Sequence, residues 1–591
     1  MNAHTTEIAP HPSHPPENWV QCHDGTHLFY RRWKADRPQT GAVVLLHRGH
    51  EHGGRMEHLI DEGLFAGFDV YAWDARGHGW SDGERGAAPH VGELVRDLDA
   101  FVRHISDHNG IPVQDIAIVA QSVGAVIAAT WVHDYAPPIR GMVLAAPAFE
   151  VNLQVPLART VLDLWLKVRG DYTVQSYVQP SMLTQDADRA KSYATDPLIT
   201  PTISANVLMD LHETAKRVVA DAPAITVPTQ ILIAGSDSVV KKPPQDRFFN
   251  KLGANFKDRH VYPDLRHDIL GERDRGQVMT DIKRFLTQCF NRTIDAPALQ
   301  NADRRGYTKA EADRLAAPAG PLQSVVWAAM RGIIRLGGKL SEGIRLGHEA
   351  GFDSGSMLDY VYRNKATGAG PIGRWIDRIY LNSPGWRGIR QRRRNIEELT
   401  AIALRRLAAQ GQPARMTDIA AGHGRYLLEA IAASDQRPES ILLRDYCERN
   451  VAHGQELIKK LDLAGIARFE QGNAFDGDSI AAVDPRPTLA IVSGLYELFS
   501  DNGLISGSLD GLARAVPEGG LLIYTGQPWH PQLEMIARTL TSHRDGQPWV
   551  MRRRTQAEMD ALVAQAGFRK IEQRIDRWGI FTVSLAVRVA D

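Results

Sequence analysis

Short apolar runs alternate with longer amphipathic stretches over the first half of the chain. The runs are AVVLLH at 42–47, VYAWD at 70–74, IAIVAQ at 116–121, MVLAAP at 142–147 and QILIAG at 230–235. Buried strands that alternate with helices are typical of a parallel sheet covered by helices on both faces. We therefore predict an α/β domain over residues 1–290. The alternation stops at about 149–221, where the sequence is helical in character, and this stretch is predicted to be an inserted cap.

A second alternating pattern follows and does not repeat the first. Its apolar runs are MTDIAAG at 416–422, ILLRD at 441–445, TLAIVSG at 488–494 and LLIYTG at 521–526, which predict a second α/β core over 401–591. Residues 322–400 are predicted to form a helical segment in front of that core. Residues 291–321 are rich in Ala, Pro, Asp and Arg and are predicted to be a linker.

The composition narrows the class of protein. Among 591 residues, 43% are apolar and 23% charged, which excludes a disordered, collagen-like or coiled-coil chain. Lys+Arg and Asp+Glu balance at 69 each, so a globally basic nucleic-acid binder is excluded. Cys22, Cys289 and Cys447 are too far apart for a disulfide framework or a zinc knuckle. The first 19 residues lack the pattern of a signal peptide and no run is apolar enough to span a bilayer, so a cytoplasmic location is expected.

Ser122 is the candidate nucleophile of the first domain. It comes directly after the strand IAIVAQ and directly before an Ala/Val-rich helix, where a sharp turn can expose a serine hydroxyl. An imidazole must take the serine proton and a carboxylate must orient that imidazole. Asp237 follows the strand QILIAG and His267 comes thirty residues later, in the order serine, acid, histidine. These three residues are predicted to be catalytic.

A Gly-rich loop after the first predicted strand is the candidate oxyanion hole. It reads HRGHEHGGR at 47–55, and backbone amides of Gly49 and Val123 are the expected donors. Four histidines on or near this loop also allow a metal site. Because no Cys or carboxylate pair accompanies them, no metal is expected.

These motifs together resemble one branch of the α/β hydrolases. HRGHEHGGR, DARGHGWSDGERG, QSVGA, YATDPLI, GSDSVV and DLRHDILGE are similar to the monoacylglycerol lipase and lysophospholipase branch, the serine aminopeptidase-like family, over residues 20–290. The resemblance implies a lipid-type ester substrate held under the cap, with Ser122, Asp237 and His267 as the triad. Arg48 and His50 replace glycines of the family loop, and Gln121 replaces the histidine that precedes the family's nucleophile. These departures keep a catalytically weak hydrolase open as an alternative.

The second domain carries a candidate cofactor loop. In MTDIAAGHGRYLLEA, Asp418 ends a strand and is followed by the small residues Ala420, Gly422 and Gly424, after which a helix begins. Small residues let a ligand approach the backbone, and amides at a helix start are hydrogen-bond donors. Asp445 ends the next strand, where it can accept hydrogen bonds from ribose hydroxyls. A purely structural turn is the alternative.

The ordered motifs of residues 350–591 resemble a class I S-adenosylmethionine-dependent methyltransferase. The resemblance implies that S-adenosyl-L-methionine is the cofactor, that Asp445 binds its ribose and that GNAF contacts its adenine. Ala420 departs from the glycine of the first motif, and Asn473 from the usual Asp. The residues predicted to bind the cofactor are Asp418, Ala420, Gly422, Gly424, Asp445, Asn473, Ala474, Phe475 and Ser493.

We therefore predict a bifunctional protein that joins a serine carboxylester hydrolase to a methyltransferase. The sequence does not specify the methyl acceptor, and a lipid is one interpretation. Residues 321–400 carry 13 Lys/Arg against 7 Asp/Glu, and VVWAAMRGIIRLGGKL within them has the composition of a basic amphipathic helix. Peripheral contact with the inner membrane surface is one interpretation of that segment. The alternatives are a scaffold or regulatory protein with one catalytically weak unit and a nucleic-acid methyltransferase with a bystander hydrolase. The latter is disfavoured because no base-flipping motif is present, and no oligomeric state is predicted.

Overall fold

The computed structural model describes residues 18–35, 40–152, 165, 166, 168, 170–292, 298–543 and 546–590. The chain divides into two compact units at residues 297 and 298. The segment assessed for a signal peptide, up to residue 17, lies outside the described residues, as do residues 153–164, 167 and 169 of the predicted cap and 293–297 of the predicted linker.

The first unit is built on an eight-stranded sheet with the order β1-β2-β4-β3-β5-β6-β9-β10. The pairs β1/β2 and β2/β4 are antiparallel and the other pairs are parallel. Its strands are β1 Trp19–Gln21, β2 His27–Trp33, β3 Gly41–Leu46, β4 Phe68–Trp73, β5 Ile116–Gln121, β6 Gly141–Ala145, β9 Thr229–Ala234 and β10 Lys257–Tyr262, and β7 Thr173–Gln175 pairs with β8 Thr202–Ser204 in a separate two-stranded sheet.

Helices cover both faces of this sheet because its central strands are apolar on both sides. Every residue of β3, β5, β6 and β9 is buried, as expected for the interior of a parallel sheet. The small β7/β8 sheet and three of the helices fall between β6 and β9, in the stretch predicted as the cap. The helices of the unit are His58–Asp61, Val91–Asn109, Val123–Tyr135, Pro180–Leu183, Ala187–Thr195, Ala205–Ala220, Lys242–Lys251 and Gly276–Asn291.

The second unit has a seven-stranded sheet with the order β13-β12-β11-β14-β15-β17-β16. Five strands are parallel, and β17 runs antiparallel to both β15 and β16. The carboxyl ends of β11, β12 and β14 therefore meet at one edge of the sheet, which is where ligands bind in open α/β sheets. The strands are β11 Arg415–Asp418, β12 Ser440–Asp445, β13 Ala467–Gln471, β14 Leu489–Val492, β15 Leu521–Gly526, β16 Phe568–Ile575 and β17 Thr582–Arg588.

Helices precede this sheet and connect its strands. Ser341 and Ser354 begin two of them by accepting hydrogen bonds from the amides of Ile344 and Met357. Part of the stretch predicted as a linker is also helical, since Tyr307–Ala316 belong to the second unit. The helices are Tyr307–Ala316, Pro321–Gly338, Glu342–Ala350, Gly355–Arg363, Gly370–Leu381, Pro384–Ala409, Arg425–Ala432, Glu448–Lys460, Gly477–Ala481, Asn502–Ala515, Leu533–Thr539 and Gln556–Gln565.

The prediction of two successive α/β units is confirmed by these two sheets. Within the described part of the chain, no helix combines the length and the apolar character that crossing a bilayer requires. The cytoplasmic location stays a prediction.

Candidate active sites

Ser122 occupies a strained turn between β5 and the helix Val123–Tyr135. Its φ is +55° and its ψ is −112°, a conformation that residues with a side chain rarely adopt. The surroundings hold it there, because its amide donates to the carbonyl of Ala145 at 2.9 Å. Gly124 lets the helix approach β3 closely, since a Cβ at this position would lie 2.5 Å from the carbonyl oxygen of His47.

The three residues predicted to be catalytic are brought together in one chain of contacts. The Nε2 of His267 is 2.8 Å from the Oγ of Ser122, and its Nδ1 is 2.8 Å from the Oδ2 of Asp237. The other oxygen of Asp237 accepts hydrogen bonds from the amides of Val239 and Val240 at 2.8 and 3.0 Å. All three side chains are buried, so the carboxylate is fixed and the imidazole is oriented.

The loop predicted to supply the oxyanion hole lies against the start of the same helix. A Cβ on Gly49 would be 3.1 Å from the Cγ2 of Val123, so these two residues are neighbours. His50 has a φ of +71°, in the region that favours glycine. Its Nδ1 lies 2.8 Å from the carbonyl oxygen of Thr200, and its own carbonyl accepts from the Thr200 amide at 2.9 Å. These two contacts with the cap hold His50 where the family has glycine.

The four histidines of this region have separate partners. His47 contacts the Arg48 carbonyl and the Ala75 amide, and His50 contacts Thr200. His52 contacts Asp196, and His58 contacts the Leu270 carbonyl. Burial lowers the pKa of His47 and of His50 to about 4, so both are neutral at pH 7. In the described ranges, the one group that brings three potential ligand atoms together is His23, Asp24 and Glu93, away from this loop.

Two departures from the family pattern join a buried charge network beside His267. Gln121 donates through Nε2 to the Oδ1 of Asp268 at 3.1 Å, and Arg189 of the cap donates to the other oxygen at 2.9 Å. Arg48 donates to Glu51 at 2.5 Å and stacks over the ring of Tyr193, 4.9 Å from its centre. The sequence gives no sign of this network, because its members come from distant segments.

Ser122 and His267 open onto a cavity of about 450 Å³. The cavity is within the size range of small-molecule sites. Apolar side chains from the cap and from the sheet form most of its wall, among them Val151, Val174, Ile203, Leu208, Leu211 and Val240.

The loop after β11 has a backbone conformation that allows a ligand to approach it closely. Gly422 and Gly424 have φ values of +59° and +68°, which favour glycine. The Gly422 amide donates to the Oδ2 of Asp445 at 2.9 Å, and the other oxygen of Asp445 accepts from the amide of Cys447 at 2.9 Å. Burial raises the pKa of Asp445 above its ordinary value. The carboxylate therefore lies directly against the glycine loop.

A cavity of about 610 Å³ lies over this loop. Asp418 is not on its wall. That residue lies beneath the loop, where it accepts hydrogen bonds from the Tyr426 hydroxyl and, at 3.3 Å, from the Ala420 amide. The other residues predicted to bind the cofactor all line the cavity, namely Ala420, Gly422, Gly424, Asp445, Asn473, Ala474, Phe475 and Ser493.

A second cavity of the same unit, of about 370 Å³, was not predicted from the sequence. It shares five residues with the cavity over the glycine loop, namely Asp353, Leu358, Arg392, Gly494 and Leu498. Its wall is otherwise largely apolar, with side chains such as Phe352, Trp386, Ile389, Met535, Trp549 and Phe581.

Four buried polar atoms stand out on the wall of this second cavity. The atoms without a hydrogen-bond partner within the described residues are the Nε of Arg392, the Oε2 of Glu497, the Nε2 of Gln527 and the Nε1 of Trp549. Buried polar groups are nearly always paired in folded proteins, so such atoms indicate a place where a ligand or water is bound. The other oxygen of Glu497 accepts from the Thr525 hydroxyl at 2.7 Å.

Two family models match this chain, one over each of its two units. Residues 282–588, more than half of the chain, match the family model described as "Putative methyltransferase". The chain belongs to this methyltransferase family. Residues 37–274 match the model described as "Serine aminopeptidase, S33". The predicted resemblance to a hydrolase fused to a methyltransferase is thus confirmed.

The chain is similar to several individual proteins. It is 50% identical to "Uncharacterized protein YnbC" of Escherichia coli over 97% of this chain and 98% of that protein. It is 30% identical to the human "Monoglyceride lipase" over 36% of this chain and 71% of that protein. The solved structure of Paleococcus ferrophilus monoacylglycerol lipase has a TM-score of 0.41 and 24% identity, and covers 44% of this chain and 99% of its own.

Proposed function

We propose that the first unit is a serine carboxylester hydrolase that acts on esters of the monoacylglycerol or lysophospholipid type. The observation that carries this proposal is the Ser122–His267–Asp237 chain, with both contacts at 2.8 Å, opening onto an apolar cavity. An acyl chain fits the chemistry of that wall. The similarity to a monoglyceride lipase supports the same substrate class.

The geometry supports a two-step acyl transfer. The Oγ of Ser122 attacks the ester carbonyl carbon while the Nε2 of His267 takes the serine proton. Asp237 stabilises the resulting imidazolium, and the amides of Gly49 and Val123 donate to the carbonyl oxygen as it becomes negative. His267 then gives the proton to the departing alcohol, which leaves an acyl-serine. Water activated by His267 releases the acid and restores the serine.

Labelling with a fluorophosphonate tests this assignment. We expect the label to be lost in Ser122→Ala and to fall by at least about 100-fold in rate in His267→Ala, because general-base catalysis contributes that much. Ser176→Ala is the matched control, since Ser176 also lines the cavity and its hydroxyl accepts a hydrogen bond from the Val178 amide. Persistent labelling of Ser122→Ala would exclude Ser122 as the nucleophile.

For the second unit, we propose an S-adenosylmethionine-dependent methyltransferase. The residues present fit this cofactor, because a glycine loop with positive φ values adjoins a carboxylate at the strand edge of a cavity of about 610 Å³. When bound, the cofactor supplies an activated methyl group. Asp445 would accept hydrogen bonds from the ribose hydroxyls. Asn473, Ala474 and Phe475 would border the adenine, as the family resemblance implies.

The adjoining cavity of about 370 Å³ is the proposed acceptor site. Its apolar wall would exclude water from the reacting groups. The unpaired atoms of Glu497, Gln527 and Arg392 would orient the polar end of the acceptor. We therefore propose an acceptor with an apolar body and one polar end, which is the chemistry of a lipid-like molecule.

Titration calorimetry of the full chain with S-adenosylmethionine tests the cofactor. Asp445→Ala should weaken binding by about 30- to 1,000-fold, equivalent to roughly 2–4 kcal/mol for two charge-assisted hydrogen bonds. Asp445→Asn keeps the size and should show an intermediate loss. Asp435→Asn, at an exposed site away from the cavity, is the control. An unchanged affinity in Asp445→Ala would contradict the proposed cofactor contact.

A further inference from the structure

One face of the helix Pro321–Gly338 is apolar and exposed to solvent. Its side chains recur every three or four residues, which places them on one side of the helix. A helix of a folded domain normally turns such a face inward. Here the exposed fractions are 86% for Leu322, 69% for Val325, 59% for Val326, 67% for Ile333 and 67% for Leu336.

The exposed face continues onto the helix Gly370–Leu381. A Cβ on Gly337 would be 3.9 Å from the side chain of Ile376, and the Ala369 amide donates to the Leu340 carbonyl at 2.8 Å, so the two helices adjoin. Apolar patches of this kind mark interaction sites. We name as the apolar face the side chains of Leu322, Val325, Val326, Ile333, Leu336, Leu340, Ile372, Trp375 and Ile379, each at least 41% exposed.

The exposed charges carried by the two helices of this face have one sign. Arg335, Arg374 and Arg378 are exposed on these helices, and the exposed Lys339 directly follows the first of them. Residues 321–340 contain no Asp or Glu. The only carboxylate of the second helix, Asp377, is buried and accepts hydrogen bonds from the amides of Gly368 and Thr367 at 2.7 and 3.0 Å. An apolar face with cationic neighbours complements a bilayer that contains anionic lipids.

The same helix also borders the apolar cavity. Met330 and Ile334 line that cavity, and Met330 is 37% exposed. We propose that the apolar face docks the second unit on an anionic bilayer surface, with the apolar cavity immediately behind the docked helix. If the proposed methyltransferase function is correct, this arrangement lets an amphipathic acceptor pass between the bilayer and the cavity without crossing bulk water.

Flotation of the full chain with vesicles tests the docking. The probes are vesicles of phosphatidylglycerol with phosphatidylcholine and vesicles of phosphatidylcholine alone. We expect strong binding to the anionic vesicles and weak binding to the neutral ones. Ile333→Asp with Leu336→Asp should lower the bound fraction at least tenfold. The matched control is Leu504→Asp, at a leucine that is 42% exposed outside the apolar face.

Variants that lack these positive charges measure the electrostatic contribution to vesicle binding. Changing Arg335, Lys339, Arg374 and Arg378 to Gln should weaken partitioning by roughly 600-fold, since each cation near an anionic surface contributes about fivefold. The control removes the same charge from exposed positions elsewhere in the unit, at Arg405, Arg406, Lys459 and Arg569.

Two results would overturn the proposal. One is equal binding of the Ile333→Asp/Leu336→Asp variant and the parent chain. The other is a lipid-free dimer that this variant converts to a monomer in light scattering, because the apolar face would then bind a second copy. Calorimetry with S-adenosylmethionine on the same samples keeps the tests separate: loss of cofactor binding with intact vesicle binding contradicts the methyltransferase function and leaves the docking in place.

Discussion

At the scale of single residues, Gly124 shows how closely the nucleophile turn is packed. A Cβ there would lie 2.5 Å from the His47 carbonyl oxygen and 2.8 Å from that of Leu46, and backbone atoms cannot move aside easily. We expect Gly124→Ala to lower the free energy of unfolding by about 1–3 kcal/mol and to slow fluorophosphonate labelling. Gly276→Ala is the control, because nothing lies within 4 Å of its added Cβ. Equal calorimetric melting of the two variants would contradict the packing argument.

Asp418 is expected to make the stability of the second unit depend on pH. Burial raises its pKa from 3.8 to about 7, against the hydrogen bonds from Tyr426 and the Ala420 amide. The folded chain therefore binds a proton more tightly than the unfolded chain, and its stability falls as pH rises from about 4 to about 7. Asp418→Asn cannot ionise, so its stability should change less between pH 5 and pH 8 than that of the parent. Calorimetric melting at both values measures this, and parallel pH profiles would contradict it.

Residue order alone was enough to predict the contact chain at Ser122, since each member follows a strand of the same sheet. The same reasoning placed Asp445 and the glycine loop on one cavity. It did not distinguish Asp418, whose side chain lies beneath the loop, from the predicted residues that line the cavity. It also missed Arg392 and Gln527, because a cavity assembled from distant segments has no local sequence pattern.

At the scale of elements, the cap is joined to the loop that carries His267 by the ion pair between Arg189 and the buried Asp268. Burial alone would raise the pKa of Asp268, but Arg189 and Arg48 outweigh it and hold that pKa below its ordinary value. The pair thus contributes stability at neutral pH that is lost as pH falls towards the pKa of the folded state. Arg189→Met should cost about 2–4 kcal/mol, because it leaves a buried carboxylate with fewer partners.

A double-mutant cycle measures this contribution. Asp268→Asn in the Arg189→Met background should recover part of the lost stability, since the buried charge is then absent. Additive losses in the two single variants would show that Arg189 and Asp268 do not interact.

Strands were predicted more securely than helices in this chain. The central strands are buried on both sides and stand out as short apolar runs, whereas the helices of 307–409 have one polar face and merge with loops in composition. The helix Tyr307–Ala316 is an example, because it lies in the stretch that was predicted to be a linker. Its sequence, YTKAEADRLA, is mostly polar, and only tertiary contacts such as the burial of Thr308 and Leu315 reveal that it is part of a folded unit.

At the scale of the whole molecule, the helix Tyr307–Ala316 determines where a fragment that contains the second unit should begin. Thr308 accepts a hydrogen bond from Arg552 at 3.1 Å, and Glu311 pairs with Arg553 at 2.5 Å. A fragment that begins at residue 298 keeps these contacts, whereas one that begins at 321 loses them. We expect the shorter fragment to melt several degrees lower and to bind S-adenosylmethionine more weakly. Equal melting temperatures would restore the predicted boundary at 321.

The position of Cys447 provides a built-in place for a reporter of ligand binding. Cys22 and Cys289 are buried, and burial raises the pKa of both thiols, to about 12 for Cys289, so neither reacts readily. Cys447 is only partly buried, lines the cavity over the glycine loop and donates its amide to Asp445. A maleimide fluorophore should therefore attach to one position of the native chain. Its emission would follow occupancy of the cavity in real time, without any engineered cysteine.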